Sequence, residues 1–254
     1  MFQKMVHICC IAAHDTSNGA GITHDCIVAH DFGIMAHPVI TAITTQSFYN
    51  VEKIEPIYPE IVKMQLESIF RNFPIAAIKI GMLYDPETIK AVAGTISQHP
   101  DAITIVDPII KSSGGENLLA RKGYNTLKEE LLPLANIITP NRNELEQLSE
   151  MAINSIDDAL KAAQVISSQY KCNVLVKGGH FDGTILEDFL IGNNLKTSVT
   201  HERRNYRYNH GSGCTLSTAL TCALALGYNN QEALRHAVNY TTKYFDSMNI
   251  SMFE

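Results

Sequence analysis

The residues most suited to chemistry in this 254-residue chain lie in a glycine-rich turn near its C-terminal end. Residues 209–217 (NHGSGCTLS) contain two glycines, hydroxyl residues and Cys214, and they run directly into an apolar helical pattern that ends near Leu226. Glycine lets the backbone approach a ligand closely, and the first N–H groups of a helix are unpaired and partly positive. The pattern therefore predicts an anion-binding turn with a nucleophile or base, Cys214, at its tip. The alternative is a helix start capped by Ser212 or Thr215, with a small buried cysteine.

A second chemical signal is Lys177, which ends a buried apolar run directly before two glycines. Residues with functional side chains also follow the other apolar runs: Asp15, Gln46, Met82, Asp107, Asn141 and Glu144. The carboxyl ends of parallel strands meet at one edge of a sheet, and ligands bind there. Loops are polar in general, which explains most of these residues taken one at a time. It does not explain Lys177, which ends a buried strand directly before two glycines. The chain has no GxxxxGK[ST] sequence and no GxGxxG before a helix, so a nucleotide site would be of another type.

The composition excludes several classes of function. Lysine and arginine number 20 against 26 acidic residues, a net charge of −6, which offers no basic surface for nucleic acid or an anionic membrane. Six cysteines and ten histidines show no CxxC, HExxH or zinc spacing, so we expect reduced thiols and a cytoplasmic location. No apolar stretch reaches the length of a membrane span, and the N-terminal run is too short for a signal peptide. We expect a soluble protein that acts on a small molecule.

The elements that must position these residues alternate between short apolar runs and helical patterns. Predicted strands cover residues 6–13, 39–45, 76–82, 103–106, 136–139 and 173–177, with a hairpin over 185–200. Predicted helices cover residues 20–32, 59–70, 86–97, 124–134, 144–150, 157–170, 215–226 and 231–247. Repeated strand–helix alternation predicts an α/β fold with a mainly parallel sheet and helices on both faces. Neither a linker nor a repeat is visible, so we expect one domain over residues 1–254.

Seven motifs, in their order and spacing, give the chain a resemblance to a known family. They are AGITHD (20–25) preceded by Asp15, TTQ (44–46), KIGML (79–83), DP (107–108), TPN (139–141) with Glu144, VKGGH (176–180) and HGSGCT (210–215). The set resembles the hydroxymethylpyrimidine/phosphomethylpyrimidine kinases of thiamine biosynthesis, which have close relatives that phosphorylate pyridoxal. The resemblance extends from about residue 6 to about residue 245. It implies a ribokinase-like three-layer α/β/α sandwich, an enzyme that uses ATP and Mg²⁺, and a homodimer.

The resemblance assigns the phosphate side of the site to the second half of the chain. The anion hole would consist of backbone N–H groups at Gly211, Ser212, Gly213 and Cys214. Lys177 would approach the phosphates as a point charge. Asn141 and Glu144 resemble an NxxE pair that orders Mg²⁺ and phosphate through water, and Asp107 would join this cluster. For Glu144 the alternative is a first-turn carboxylate that stabilises its own helix.

The resemblance gives Cys214 the position where many sugar kinases of the superfamily have an aspartate base. A thiolate there would accept the proton of the acceptor hydroxyl. We expect the helix start to lower the pKa of Cys214 and make it the fastest of the six thiols to alkylate. The alternative is a buried structural thiol.

The resemblance assigns acceptor recognition to the N-terminal loops. Asp25 and Gln46 match positions that hydrogen-bond the heteroaromatic ring, and Met82 matches a residue that lines its apolar face, although methionine is more often core filler. The family usually reads GSDPSGGAG where residues 13–21 read AHDTSNGAG. Ala13 adds a methyl group where the backbone approaches the ring, and His14 adds bulk. Residues 111–115 also depart from the family's Lys-Ser-Gly pattern.

These departures leave three functions open. The first is phosphorylation of hydroxymethylpyrimidine or its monophosphate, which we favour. The second is pyridoxal kinase activity, with Cys214 able to add to the aldehyde. The third is a non-catalytic ligand-binding relative, against which the retained Lys177, Asn141, Glu144 and Cys214 argue.

Overall fold

One mixed sheet forms the centre of the molecule. The structure, a computed structural model, describes residues 5–47, 50–112, 115–181 and 183–253. The strands within them are β1 (His7–Asp15), β2 (Met35–Gln46), β3 (Val51–Pro56), β4 (Ile75–Ile80), β5 (Ile103–Val106), β6 (Ile137–Ile138), β7 (Asn173–Val176), β8 (Ile185–Gly192) and β9 (Leu195–Glu202). Their order in the sheet is β3-β2-β1-β4-β5-β6-β7-β8-β9. The six strands from β2 to β7 in this order run parallel, whereas β3, β8 and β9 pair antiparallel with their neighbours.

Helices cover both faces of the sheet. They are α1 (Gly21–Asp31), α2 (Pro59–Asn72), α3 (Pro86–Ile96), α4 (Gly123–Thr126), α5 (Arg142–Ser149), α6 (Ile156–Tyr170), α7 (Ser212–Ala225) and α8 (Asn230–Phe253). Helices α1, α7 and α8 pack on one face of the sheet, and helices α2, α3, α5 and α6 pack on the other. Of the helices that the structure describes, none is long and apolar enough to cross a membrane. The predicted three-layer α/β/α architecture is confirmed.

The inner strands are apolar on both sides because both faces are covered. In β1, Cys9 and Ile11 belong to the core beneath α2 and α3, whereas Ile8, Cys10 and Ala12 face α1. Successive side chains of a strand point to opposite faces, so a strand between two helical layers is a continuous apolar run. This arrangement leaves only the strand ends and the loops after them available for polar side chains that meet a ligand.

The structure breaks one predicted helix and contains one strand that was not predicted. The helix expected over residues 124–134 is instead α4, a π-helical turn (Leu127–Leu131) and a 3₁₀ turn (Leu132–Leu134). Pro133 explains the break, because proline lacks an N–H group and its ring disfavours a continuing α-helix. Strand β3 was not predicted; its sequence VEKIEP is rich in charge and pairs only with β2. Charged side chains are typical of an exposed sheet edge, where they oppose pairing with another chain.

Candidate active site

One cavity, of about 570 Å³, lies at the carboxyl edge of the parallel strands, formed by the loops after β1, β2, β4, β5, β6 and β7 and by the start of α7. Such a volume suits a small molecule. The cavity brings together eleven of the predicted site residues: Ala13, Gln46, Met82, Asp107, Asn141, Glu144, Lys177, Gly211, Ser212, Gly213 and Cys214. Asp25 does not line it.

The first turn of α7 faces this cavity without a side-chain cap. Gly211 is the N-cap residue, with a φ of +80°, and in the described part of the chain no side chain caps this turn. Thr215 does not serve as a cap, because its hydroxyl donates to the carbonyl oxygen of Gly211 at 2.9 Å. A Cβ on Gly211 would overlap the carbonyl oxygen of Gly19, so the close contact of these two loops requires glycine. The turn therefore leaves the partial positive charge of the helix start directed at the cavity.

Lys177 brings a full positive charge to the same place. A Cβ built on Gly213 would lie 3.4 Å from Lys177 Nζ, which is also 3.8 Å from Asp107 Oδ1. The turn after Lys177 is fixed, because the Gly178 N–H donates to Asp188 Oδ1 at 2.7 Å and a Cβ on Gly178 would overlap the backbone of Glu187. A helix start and a lysine thus converge on one anion site.

Glu144 both caps its own helix and lines the cavity. Asn141 and Glu144 form a capping box: Asn141 Oδ1 accepts from the Glu144 N–H at 3.0 Å, and Glu144 Oε2 accepts from the Asn141 N–H at 2.8 Å. The other carboxylate oxygen, Glu144 Oε1, accepts from the Ile110 N–H at 3.2 Å. The alternative role of Glu144 in stabilising its helix is therefore observed, alongside its place at the cavity.

A second buried carboxylate, Asp107, faces Glu144. Burial raises the pKa of Glu144 to about 7, the negative charge of Asp107 adds to this rise, and the charge of Lys177 opposes it. Thr139 Oγ1 donates to Asp107 Oδ1 at 3.0 Å. Two adjacent carboxylates attract a cation, but the described residues contain no group of three or more histidine, cysteine or acidic side chains that could hold a metal. A cation here would take most of its ligands from water and phosphate.

The thiol of Cys214 lines the same cavity from the first turn of α7. Burial raises the pKa of Cys214 to about 11; the ammonium of Lys79 lowers it, and the carboxylates of Asp107 and Asp25 raise it further. The expectation of a lowered pKa was wrong, because desolvation of the thiolate outweighs the helix start. Cys26, which is less buried, has a pKa raised to a similar value of about 11. Cys214 therefore has no pKa advantage over Cys26 in the free protein, whereas burial raises the pKa of each of the other four thiols further.

Asp15 organises the loop that closes the acceptor region. Its carboxylate accepts hydrogen bonds from the Ser17 N–H and Oγ, both at 2.7 Å, and from the Ala20 N–H at 3.0 Å. His210 Nε2 donates to Asp15 Oδ2 at 2.9 Å, which links this loop to the start of α7. Burial favours a higher pKa for Asp15, but the bonds from His210 and Ser17 outweigh it and hold the pKa below its ordinary value.

The other residues predicted to recognise the acceptor also line the cavity. Ala13 and Met82 are buried, and both line the cavity together with His14. Thr44 Oγ1 lies 3.0 Å from Gln46 Oε1, and Gln46 Nε2 lies 3.4 Å from His210 Nε2. The predicted ring-binding amide is therefore at the cavity wall. Part of the atypical loop, residues 113 and 114, lies outside the described residues.

Asp25 requires a correction. Its side chain is fully buried beneath the cavity, where Oδ2 accepts from Lys79 Nζ and Oδ1 accepts from Thr218 Oγ1, both at 2.7 Å. Because Asp25 has no exposed surface and does not line the cavity, the structure does not support a contact with the acceptor ring. Lys79 lines the cavity and was given no role from the sequence. The sequence signal for Lys79 was a charged residue within an apolar run, whereas Lys177 ends such a run.

Known proteins of one kinase family are similar to this chain over nearly its whole length. The family model described as phosphomethylpyrimidine kinase matches residues 15–252. A hydroxymethylpyrimidine/phosphomethylpyrimidine kinase from Haemophilus influenzae is 36% identical over 236 residues, which cover 91% of this chain and 88% of the relative. The crystal structure of a phosphomethylpyrimidine kinase from Clostridium difficile 630 is similar with a TM-score of 0.83 and 35% identity, covering 94% of this chain and 99% of the other. An ADP complex of a pyridoxal kinase from Bacillus subtilis has a TM-score of 0.86 and 30% identity, covering 94% and 91%.

Proposed function

The chain belongs to the phosphomethylpyrimidine kinase family of phosphotransferases, and on this premise we propose that it uses ATP to phosphorylate 4-amino-5-hydroxymethyl-2-methylpyrimidine, its monophosphate, or both, in thiamine biosynthesis. The observation that carries the proposal is the cavity in which Lys177 and the uncapped start of α7 lie beside Cys214 and the acceptor-side residues. Phosphoryl transfer needs positioning and charge stabilisation more than covalent chemistry, and this cavity offers both. We also propose that the protein acts in the cytoplasm as a homodimer, which a measured mass of twice 28.1 kDa would support.

The phosphate side would stabilise the charge of the transferring group. The first-turn N–H groups at Gly213 and Cys214 would donate to its oxygens, and Lys177 would place its ammonium against them. ATP would therefore bind with its terminal phosphate between the end of β7 and the start of α7. The similar pyridoxal kinase from Bacillus subtilis was solved as an ADP complex, which supports the proposal that this chain binds a nucleotide.

The carboxylate pair fits a hydrated magnesium ion. Asp107 and Glu144 are buried, adjacent and negatively charged when ionised, and Mg²⁺ prefers oxygen ligands while keeping much of its water. We propose that these two side chains hold the ion through water. When bound, Mg²⁺ neutralises charge on the phosphates; the positions of Asp107 and Glu144 are set by Thr139 and by the capping box.

On the acceptor side, Cys214 would receive a proton. The hydroxymethyl oxygen forms a bond to the terminal phosphorus, the bond from that phosphorus to the ADP oxygen breaks, and ADP leaves with the electron pair. The hydroxyl proton passes to Cys214 Sγ in its ionised form, which is a minor species at neutral pH in the free protein because burial raises the pKa of the thiol to about 11. Gln46 and Met82 would hold the ring, the first by hydrogen bonds and the second by apolar contact.

Pyridoxal kinase activity is the second candidate. It is favoured by the similarity to a pyridoxal kinase structure and by Ala13 and His14, which depart from the family pattern and line the cavity. The variant Ala13→Gly/His14→Ser restores the family residues. If these two residues set the acceptor, the variant should change relative kcat/KM between pyrimidine and pyridoxal while the KM for ATP stays constant. An equal loss with every acceptor would instead assign the loop a structural role.

A coupled assay of ADP formation with a panel of acceptors tests the proposed function. We expect turnover with hydroxymethylpyrimidine or its monophosphate to exceed turnover with pyridoxal and pyridoxine. Preference for pyridoxal would establish the second candidate. A folded protein that forms no ADP with any member of the panel would contradict both.

A further inference from the structure

His24 is a buried polar residue to which the proposed chemistry gives no role. It lies on α1 directly before Asp25, and it has no exposed surface. Its Nε2 atom is 2.7 Å from Thr215 Oγ1 on α7, whereas its Nδ1 atom has no hydrogen-bond partner among the described residues. A buried polar atom without a partner costs stability, so an apolar side chain would suit this place in the core better. The polar ring therefore has to be explained by what its Nε2 atom does.

The hydrogen bonds of Thr215 fix the tautomer of His24. A hydroxyl group has one hydrogen, and that of Thr215 is donated to the carbonyl oxygen of Gly211 at 2.9 Å. The His24 ring must therefore donate to Thr215 Oγ1, which places the hydrogen on Nε2 and a lone pair on Nδ1. The opposite arrangement would bury an N–H group on Nδ1 without an acceptor, which is rare in native proteins. Burial lowers the pKa of His24, so the ring is a neutral donor at pH 7.

The bond from His24 leads to the turn that faces the cavity. Gly211, the N-cap residue of α7, accepts two hydrogen bonds at its carbonyl oxygen, from the Thr215 N–H at 2.8 Å and from the Thr215 hydroxyl at 2.9 Å. These bonds close the first turn of α7, which carries the N–H groups of Gly213 and Cys214 that would bind the phosphoryl oxygens. An unbroken row of hydrogen bonds thus joins the ring of His24 to the frame of the anion site.

A second bond between the same two helices lies one turn further along α7. Thr218 Oγ1 donates to Asp25 Oδ1 at 2.7 Å, and residues three apart lie on the same face of a helix. His24 and Asp25 therefore dock α7 against α1 at its first and second turns. The Asp25 carboxylate is also paired with Lys79 in the core, whereas the His24 bond lies at the turn where the anion would bind. The His24 bond is therefore the one that sets the placement of the anion site.

This placement matters to the rate more than to stability. Hydrogen bonds weaken steeply when donor and acceptor lose their alignment, and the charge of a transferring phosphoryl group is stabilised by donors that are already in place. Thr215 keeps its own bonds to Gly211 without His24, so the turn would still form. The ring also lies edge-on to Tyr244 on α8, with centroids 5.1 Å apart, a contact that an apolar side chain can replace. Loss of the donor should therefore loosen the turn against α1 while the fold stays intact.

We propose that His24 is a positioning residue for phosphoryl transfer, whose Nε2–H group donates to Thr215 Oγ1 and so holds the first turn of α7 in the alignment that binds the transferring phosphoryl group. The inference rests on the proposed function. His24 does not line the cavity, and its ring keeps the Nε2 proton throughout the reaction. Its removal should therefore lower kcat and leave the KM for the acceptor nearly unchanged.

The test compares His24→Met with His24→Gln. Both side chains reach about as far as the imidazole, but only the glutamine amide can donate to Thr215 Oγ1. We expect His24→Met to keep the unfolding free energy of the native protein and to lose about tenfold in kcat, whereas His24→Gln should stay within about threefold of native. The matched control is His30→Met on the same helix, because the His30 side chain is 90% exposed and lies away from the cavity. Native kcat in His24→Met, or equal losses in both His24 variants, would overturn the inference.

Thr215→Val tests the path from His24 to the anion site. Valine keeps the shape of threonine and removes the hydroxyl. The double variant His24→Met/Thr215→Val removes donor and acceptor together, so it should fold even if the loss of one partner destabilises the protein. If His24 acts through this hydroxyl, the double variant should lose about tenfold in kcat, no more than either single variant. A loss of about 100-fold would show independent effects and refute the path, and native kcat in the double variant would refute it as well.

Nitrogen-15 NMR provides a readout that needs no turnover. In the native protein the imidazole signals should show the hydrogen of His24 on Nε2, and a hydrogen on Nδ1 would overturn the inference. Inorganic phosphate is then titrated while the amide signals of Gly213 and Cys214 are followed. We expect phosphate to bind at least about threefold more weakly to His24→Met than to His30→Met, and equal affinities would refute the role of His24. Weaker phosphate binding in a protein whose native form phosphorylates no acceptor would uphold that role and refute the proposed function instead.

Discussion

Replacing Lys177 by methionine should separate charge from shape at the phosphate site. Methionine keeps most of the apolar length of lysine, and the Lys177 side chain is only 12% exposed, so water screens its charge weakly. The ammonium is 3.8 Å from Asp107 Oδ1 and 3.4 Å from the position of a Cβ on Gly213, so a phosphoryl oxygen at the start of α7 would be about 4 Å away. Two unit charges at that distance interact by about 4 kcal/mol with an effective dielectric constant of about 20.

Such an energy corresponds to a factor of about 10³ in rate, because each 1.36 kcal/mol is tenfold. Part of the interaction is already present in bound ATP, so we expect kcat/KM to fall by about 10² to 10³. A second effect follows from the carboxylates. The charge of Lys177 lowers the pKa of Glu144, so its loss should raise that pKa further and move the rising limb of the pH–rate profile to higher pH.

The assay measures ADP formation by Lys177→Met across a pH series, with thermal unfolding as a check on the fold. Lys161→Met is the matched control, because Lys161 is exposed on α6 and away from the cavity. The control should retain native kinetics. Near-native kcat/KM in a folded Lys177→Met protein would refute the role given to this charge.

Three further predictions concern the same cavity. Cys214→Ser should fold normally and lose about 10²-fold or more in kcat. Iodoacetamide should label native Cys214 slowly at pH 7 and faster as the pH approaches the thiol pKa of about 11. Fast labelling at neutral pH would contradict a buried thiol. Glu144 has a pKa raised from 4.5 to about 7, so the apparent affinity for Mg²⁺ should rise between pH 6 and 8 as the carboxylate forms. The folded state favours the protonated form of Glu144, so the native protein without magnesium should lose unfolding free energy relative to Glu144→Gln as the pH rises from about 4.5 to 7. A difference in unfolding free energy that does not change over this interval would refute the raised pKa. In a urea titration, Gly211→Ala should lower the unfolding free energy by about 2 kcal/mol or more, because the alanine would have a positive φ and its Cβ would overlap the carbonyl oxygen of Gly19. Gly227→Ala should lower it by about 1 kcal/mol, because φ is positive there but the added Cβ meets open space.

Local patterns were sufficient to predict which residues meet at the proposed phosphate side of the cavity. The run into Lys177-Gly178 and the turn into α7 are each visible over about ten residues, and the carboxyl edge of a parallel sheet brings them together. Strand β3 could not be predicted in this way, because its charged sequence becomes a strand only by pairing with β2. Its formation depends on tertiary context rather than on propensity.

The wrong expectations for Asp25 and for the pKa of Cys214 have one physical cause, which is that both side chains are buried. A match to a family motif placed Asp25 at the ligand, but α1 turns this side chain towards Lys79 in the core. The start of α7 favours a thiolate at Cys214, but burial acts more strongly in the opposite direction. Sequence spacing indicates which residues are neighbours along an element and contains little information about how far each lies from water.

Three contacts across the fold can form only after the start of α7 has been synthesised. His24 bonds Thr215, Asp25 bonds Thr218 and Asp15 bonds His210, across separations of 191, 193 and 195 residues. At a synthesis rate of about 5–20 residues per second, α1 waits roughly 10 to 40 s on the ribosome before α7 has been made. Throughout this interval the face of β1, β4 and β5 that α7 later covers has no partner from its own chain. A nascent chain that stops before α7 would therefore expose an apolar face of the sheet and the side chain of Lys79, which is buried in the folded protein. Such a chain would be a target for chaperones and proteases.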